Sequence, residues 1–235
     1  MLPVAILAGG LATRIRPLSL NVAKSMVEID GLPFIDWQLK LLSNRGIRNV
    51  VLCVGYKKEQ IQAYVSNGSK WGLRVEYSED GKQPLGTAGA LRKALPLLDS
   101  KFMVLYGDSY LRCDYTEIVQ QFERINSIAM MTVFENKGDF DKSNVKINNG
   151  KVVEYSKSRV SEKYSFIDYG LNCFGAEVFS SIAPDTYSDL SDVLEDLAGK
   201  GLLNAYLVNQ RFYEIGSIRG IEDFGKYLKE TENEL

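Results

Sequence analysis

The sequence predicts an α/β fold: a Rossmann-like, mostly parallel sheet flanked by helices, with a smaller hairpin-containing subregion laid over it. Three observations predict it. Short apolar runs, among them Val4–Leu7 and Lys101–Tyr106, alternate with segments of helical periodicity, the pattern of parallel strands joined by helical crossovers. The first run breaks at Gly9-Gly10 and is trailed by Thr13, Arg14 and Arg16, an order that brings bare backbone N–H groups and cations against an anion. Past residue 135 the chain turns polar, and Asn148-Asn149-Gly150 between two apolar-polar runs marks a β-hairpin.

Taken in order, residues 36–44 place apolar side chains at helical spacing and stop at Gly46, a C-terminal glycine signal. Residues 50–54 read as a second strand, 57–65 as a helix and 73–77, which alternate, as a third strand. The glycine loop after the first strand then lies at the carboxyl end of a parallel sheet, where ligands collect beside a switch in strand order. Residues 81–91 run from a loop into a helix ending near Leu98. Small residues at its start permit close approach, either to a flat base or to another element; tight packing alone accounts for Ala88 and Ala90. Lys101–Tyr106 is a buried strand running straight into Gly107-Asp108, where a carboxylate can ligate a metal or cap the next element. A helix over 115–126 and a strand over 128–134 follow. Residues 187–197 read as a helix with Ser or Asp at its start. Residues 202–208 and 212–215 read as short strands, and 218–231 as a final helix.

Composition excludes several chemistries. The 235 residues contain no histidine, so Ser-His-Asp and Cys-His catalysis and His-ligated zinc are out. Cys53, Cys113 and Cys173 are far apart and form no CxxC pair, as expected of buried thiols in a reducing cytoplasm. Any metal must then be a hard cation on carboxylates and phosphates, which points to magnesium. The balance of 28 basic against 30 acidic residues indicates no nucleic-acid surface. No apolar run is long enough to span a bilayer, and the chain enters its first strand too early for a signal peptide.

The motifs carry a resemblance. Leu7-Ala8-Gly9-Gly10-Leu11-Ala12-Thr13-Arg14, Pro17-Leu18 and Lys24-Ser25-Met26 form the first group. Pro84-Leu85-Gly86-Thr87-Ala88-Gly89-Ala90, Gly107-Asp108, Glu154 with Lys157, and Glu214-Ile215-Gly216-Ser217 follow in order. Together they resemble the signature of the sugar-1-phosphate nucleotidylyltransferases, the nucleotide-sugar pyrophosphorylases. The resemblance implies a short single domain of the nucleotide-diphospho-sugar transferase type. Residues 1–134 would be a nucleotide-binding half, about 135–217 a sugar-phosphate-binding part and 218–235 a C-terminal helix.

By that resemblance Leu7, Ala8, Gly9, Gly10, Thr13, Gln83, Gly86 and Thr87 contact the nucleotide, Gln83 by an amide able to donate and accept along a base edge. Arg14, Lys24 and Asp108 are the catalytic candidates, and Asp108 with Glu214 would hold Mg2+. Glu154, Lys157, Asp168, Tyr169 and Gly170 would bind the sugar phosphate, though Glu154 and Lys157 read equally well as solvated hairpin charges. The chain departs from the family pattern at Ala12 for Gly, Ala23 for Pro, Asp168 for Asn and Glu214 for Asp. The implied reaction joins a nucleoside triphosphate to a sugar 1-phosphate in the cytoplasm, with GTP ahead of UTP and CTP. Two alternatives remain. One is a cytidylyltransferase for phosphocholine or another non-sugar phosphate, whose mark would be an aromatic box; Tyr155, Tyr164, Phe166 and Tyr169 could form one but read as readily as core or hairpin packing. The other is a non-catalytic nucleotide-binding module.

Overall fold

A computed structural model describes residues 1–10, 15, 20–136, 142–157 and 163–232. The elements are β1 (Val4–Leu7), β2 (Glu28–Ile29), β3 (Leu32–Pro33), α1 (Phe34–Asn44), β4 (Asn49–Val54), α2 (Lys58–Val65), β5 (Arg74–Glu79) and α3 (Gly86–Ala94). They continue with β6 (Lys101–Tyr106), β7 (Ser109–Leu111), α4 (Tyr115–Arg124), β8 (Ala129–Glu135), β9 (Val145–Asn148), β10 (Lys151–Tyr155) and β11 (Phe166–Gly175). The last four are α5 (Leu190–Gly199), β12 (Leu203–Val208), β13 (Phe212–Glu214) and α6 (Ile218–Glu232).

One nine-stranded sheet runs β5-β4-β1-β6-β11-β8-β12-β10-β9. The expected parallel pairing holds from β5 through β6 and again between β8 and β12. The strand β11, however, lies antiparallel between β6 and β8, so the sheet is mixed beyond β6. Asp168, Tyr169 and Gly170, the expected sugar contacts, lie in the first half of this ten-residue central strand. The hairpin β9–β10 turns at Asn149 (φ 49°) and Gly150 (φ 73°), the paired left-handed residues of a type I′ turn. It extends the edge of the same sheet through β12.

Helices cover both faces. Beneath one, Ile35, Leu39 and Leu42 of α1 pack with Ile6, Leu52 and Met103 and with Ile118 and Phe122 of α4. Beneath the other, Ala88, Leu91 and Ala94 of α3 pack with Val104, Phe174 and the Leu190, Leu194 and Leu197 stripe of α5. Asp114 caps α4 by accepting the N–H groups of Thr116 (2.9 Å) and Glu117 (3.0 Å), and Asp189 caps α5 through Ser191 N–H (2.9 Å). The helix expected over 187–197 therefore starts at Leu190. All three cysteines are buried and unpaired.

The order β5-β4-β1 followed by the return to β6 makes the gap between β1 and β6 the switch point of the sheet. There Gly107 N–H donates to Leu7 O at 3.1 Å. A Cβ on Gly107 would collide with that carbonyl, so only glycine lets the two strand ends close up.

Candidate active site

Two cavities meet at this switch point. The first, of 370 Å³, is walled by Leu7 to Gly10, Lys24, Asp80, Gly86, Thr87, Asp108 and Asp189. The second, of 350 Å³, is walled by Asp108, Asp168, Tyr169, Gly170, Arg211 and Glu214. Tyr106 and Asp108 belong to both.

Asp108 is aimed by its neighbours. Gln38, fully buried in α1, donates from Nε2 to Tyr106 O (2.9 Å) and Ser109 O (2.7 Å), which bracket it in the chain. Across β7 and β13, Ile215 N–H donates to Asp108 O at 2.9 Å. Lys24 Nζ then pairs with Asp108 Oδ2 at 2.5 Å, both side chains largely shielded. The segment carrying Lys24 is tied to α2, where Gln60 Oε1 accepts Ala23 N–H (2.8 Å) and Gln60 Nε2 donates to Asn21 O (2.9 Å).

Glu214 stands opposite Ser109 in the β7–β13 pair, one residue from Asp108. Its carboxylate folds back onto the start of α6. It accepts the Gly216 N–H and the Ser217 hydroxyl, and Gly220 leaves the room it occupies. Among the described residues no cluster of three or more His, Cys, Asp or Glu side chains is placed to hold a metal.

The glycine-rich start of α3 serves packing as much as the cavity. Ser188 O accepts the N–H groups of Ala88 (2.9 Å) and Gly89 (3.1 Å), while Ser188 N–H donates to Leu85 O (2.9 Å). A Cβ on Gly86, whose φ is +72°, would strike Ser188, and one on Gly89 would strike Thr186. The Thr87 hydroxyl donates to Asp189 Oδ1 (3.2 Å) and accepts Leu190 N–H (2.7 Å). Asp189 also receives Lys157 Nζ at 3.1 Å. Burial would raise the Asp189 carboxyl, but Ser191 and Lys157 outweigh it and hold it below the usual range. So the wall of the first cavity includes Tyr187 and Asp189, which lie outside the expected 1–134 half.

The other expected site residues scatter. Thr13, Arg14 and Arg16 lie outside the described residues. Gln83 is exposed and does not wall either cavity. Glu154 sits on β10, exposed and paired with Lys146 at 2.9 Å. Asp168 accepts the Tyr106 hydroxyl (3.1 Å) and Gly170 N–H (3.0 Å), and burial pushes its carboxyl up to about 6. The ring of Tyr169 is buried against Phe134 and Phe212, whereas Tyr155 belongs to the core on the other side. Tyr155 and Tyr169 therefore do not share one aromatic box. Cys53 lines the first cavity, but burial and then Asp80 push its thiol up to about 12, so it is an apolar wall and not a nucleophile. Sequence reasoning missed Gln38, Asp80 and Asp189, whose roles arise from contacts tens of residues away; no local motif marks them.

Residues 4–230 match the Nucleotidyl transferase family. The chain belongs to that family. It is 27% identical to a D-glycero-alpha-D-manno-heptose 1-phosphate guanylyltransferase of Campylobacter jejuni, covering 90% of this chain and 93% of the relative. It is 30% identical to a UTP–glucose-1-phosphate uridylyltransferase of Synechocystis, covering 91% of this chain and 60% of the relative. Its fold superposes with a TM-score of 0.82 on HddC of Yersinia pseudotuberculosis complexed with GMP-PN, at 25% identity over 97% of this chain and all of that one. No helix among the described residues is long and apolar enough to cross a membrane.

Proposed function

We propose that the chain transfers a nucleotidyl group from a nucleoside triphosphate, GTP before UTP or CTP, to a sugar 1-phosphate, in the cytoplasm and with Mg2+. The observation that carries this reading is the pair of cavities sharing Asp108, one reached by the glycine turn and Lys24, the other by Asp168 and Glu214. A sugar-phosphate oxygen would form the new bond to the α-phosphorus as the bond to the β-phosphate oxygen breaks, and pyrophosphate would leave. That oxygen is already anionic, so the absence of histidine costs the reaction nothing.

Lys24 would neutralise the α-phosphate while two anions are brought together. Lys157, released from Asp189, would draw in the acceptor phosphate. Gly9, Gly10 and, by family resemblance, Thr13 and Arg14 would hold the leaving pyrophosphate. Asp168, Tyr169 and Gly170 would contact the sugar. Asp108, in the turn just before β7, and Glu214, at the end of the paired β13, offer hard oxygen donors. Mg2+ is held by one or two carboxylates with phosphate and water oxygens completing its shell, so this donor set fits it. When bound it would spread the phosphate charge.

A grid of four nucleoside triphosphates against mannose-, heptose- and glucose-type 1-phosphates and phosphocholine, read by pyrophosphate release with Mg2+, tests the reading. Turnover confined to sugar phosphates supports it. No pyrophosphate from any pair overturns it.

A further inference from the structure

The wall of the second cavity carries two arginines, Arg211 and Arg219, and they differ. Arg211 is anchored: its Nη2 donates to Asp223 Oδ2 at 2.7 Å, and its guanidinium lies 4.8 Å over the Tyr213 ring. Arg219 is not. It is the second residue of α6, exposed to water, and among the described residues no carboxylate, carbonyl or ring receives it. Its place in the fold is nonetheless set, because Ser217 holds the start of the helix by accepting Gly220 N–H at 2.9 Å. A cation at this end of a helix opposes the backbone dipole, so the fold gains nothing from it.

The carboxylates on the same wall are all engaged. Asp108 pairs with Lys24, Asp223 with Arg211, Glu214 with the start of α6, and Asp168 with the Tyr106 hydroxyl and Gly170 N–H. Among the described residues Arg219 is thus the one charged side chain of this cavity without a protein partner. A guanidinium has five donors and no acceptor, in a planar fork that fits a carboxylate or a phosphate. The group it fits is not the reacting phosphate. That phosphate must meet the nucleotide where the cavities join, at Asp108, whereas Arg219 walls the second cavity only. Resting on the reading of the second cavity as the acceptor site, we propose that the acceptor carries a further anionic group besides its 1-phosphate, and that Arg219 binds it. The acceptor is then an acidic sugar 1-phosphate, with a carboxylate or a second phosphate at the far end of the ring. A cationic headgroup such as choline is repelled from the same place.

Glucose 1-phosphate, its 6-carboxylate (glucuronic acid 1-phosphate) and its 6-phosphate (glucose 1,6-bisphosphate) differ at one carbon, and the mannose series repeats the set. Each is offered to the full chain with the four triphosphates and Mg2+, and pyrophosphate release is read. In at least one series an acidic member should show a kcat/KM about tenfold or more above the neutral one, through KM, from charge-assisted hydrogen bonds that water partly screens. Which acidic member gains tells the carboxylate from the phosphate. In Arg219→Gln the acidic-to-neutral ratio should fall to within about threefold, and Arg219→Lys should keep part of the gain. Unchanged triphosphate binding by calorimetry shows the variants folded. A neutral member used as well as both acidic ones in both series needs no variant and overturns the proposal. So does an acidic preference that Arg219→Gln leaves intact, or a loss shared equally by neutral and acidic members. Those three results leave nucleotidyl transfer standing; no pyrophosphate from any acceptor, acidic or neutral, removes that reading as well.

Discussion

Lys24 Nζ and Asp108 Oδ2 lie 2.5 Å apart, joining a loop after β1 to the end of β6 across 84 residues of chain. The pair sits where both cavities open, so each side chain presets the other. Lys24→Ala and Asp108→Ala should each lower pyrophosphate release by about a hundredfold or more, roughly 3 kcal/mol of transition-state stabilisation. The double variant should be little worse than the poorer single one, because the two act as a unit. Losses that multiply would show that they act independently.

Gly86 and Gly46 offer a controlled comparison. Both have left-handed φ (72° at Gly86 and 81° at Gly46), but a Cβ at Gly46 meets nothing within 4 Å while one at Gly86 strikes Ser188. Gly46→Ala should cost about 1 kcal/mol from backbone strain alone. Gly86→Ala should cost about 2–4 kcal/mol, since overpacking adds to strain. Urea unfolding of the two variants measures the difference. Equal costs would mean that the 186–188 segment yields freely.

Gln38→Leu keeps the volume of a buried side chain and removes two donors. The Tyr106 and Ser109 carbonyls would each lose a partner, at about 1–3 kcal/mol for each buried group left unmade. Since those carbonyls flank Asp108, turnover should fall while affinity for the triphosphate changes less. Unaltered turnover in a destabilised variant would confine Gln38 to the fold.

Asp168→Asn should stabilise the protein at neutral pH and not in acid. Burial raises the Asp168 carboxyl from its ordinary 3.8 to about 6, against hydrogen bonds from Gly170 and Tyr106. With the folded value raised, the folded state holds the proton more tightly, so stability falls as pH climbs from about 4 to about 6 and the full penalty applies above that. At about 1.4 kcal/mol per pH unit the penalty approaches 3 kcal/mol, and the open cavity side brings it nearer 2. Thermal unfolding from pH 4 to 8 should show the variant gaining on the wild type only as pH rises. A constant offset would place its effect in packing.

Much of the fold was legible because its signals are local. The Lys101–Tyr106 strand has the predicted limits, and the Asn149-Gly150 turn needs only two left-handed residues to declare itself. The strand β11 was not legible. Its residues 167 and 169–175 are buried, so no alternation sets them apart, and its antiparallel place between β6 and β8 comes from pairing with strands more than thirty residues away. In the site, Asp108 was legible as a carboxylate at a strand end and Lys24 through the motif resemblance, and the two meet. The small residues after Pro84 looked ready to receive a base, yet Gly86 and Gly89 are shaped by Ser188 and Thr186. Asp80 and Asp189 carry no motif and acquire meaning only where distant backbone closes round them.

Because Tyr187, Ser188 and Asp189 clasp the start of α3, the strap around the first cavity is among the late pieces of the chain to emerge from a ribosome. A nascent polypeptide stalled after β8 would display Gly9, Lys24, Asp80 and Asp108, but β6 and β8 would lack the strand that separates them. The first cavity is therefore walled in full only once residues 187–190 have been made and docked against α3.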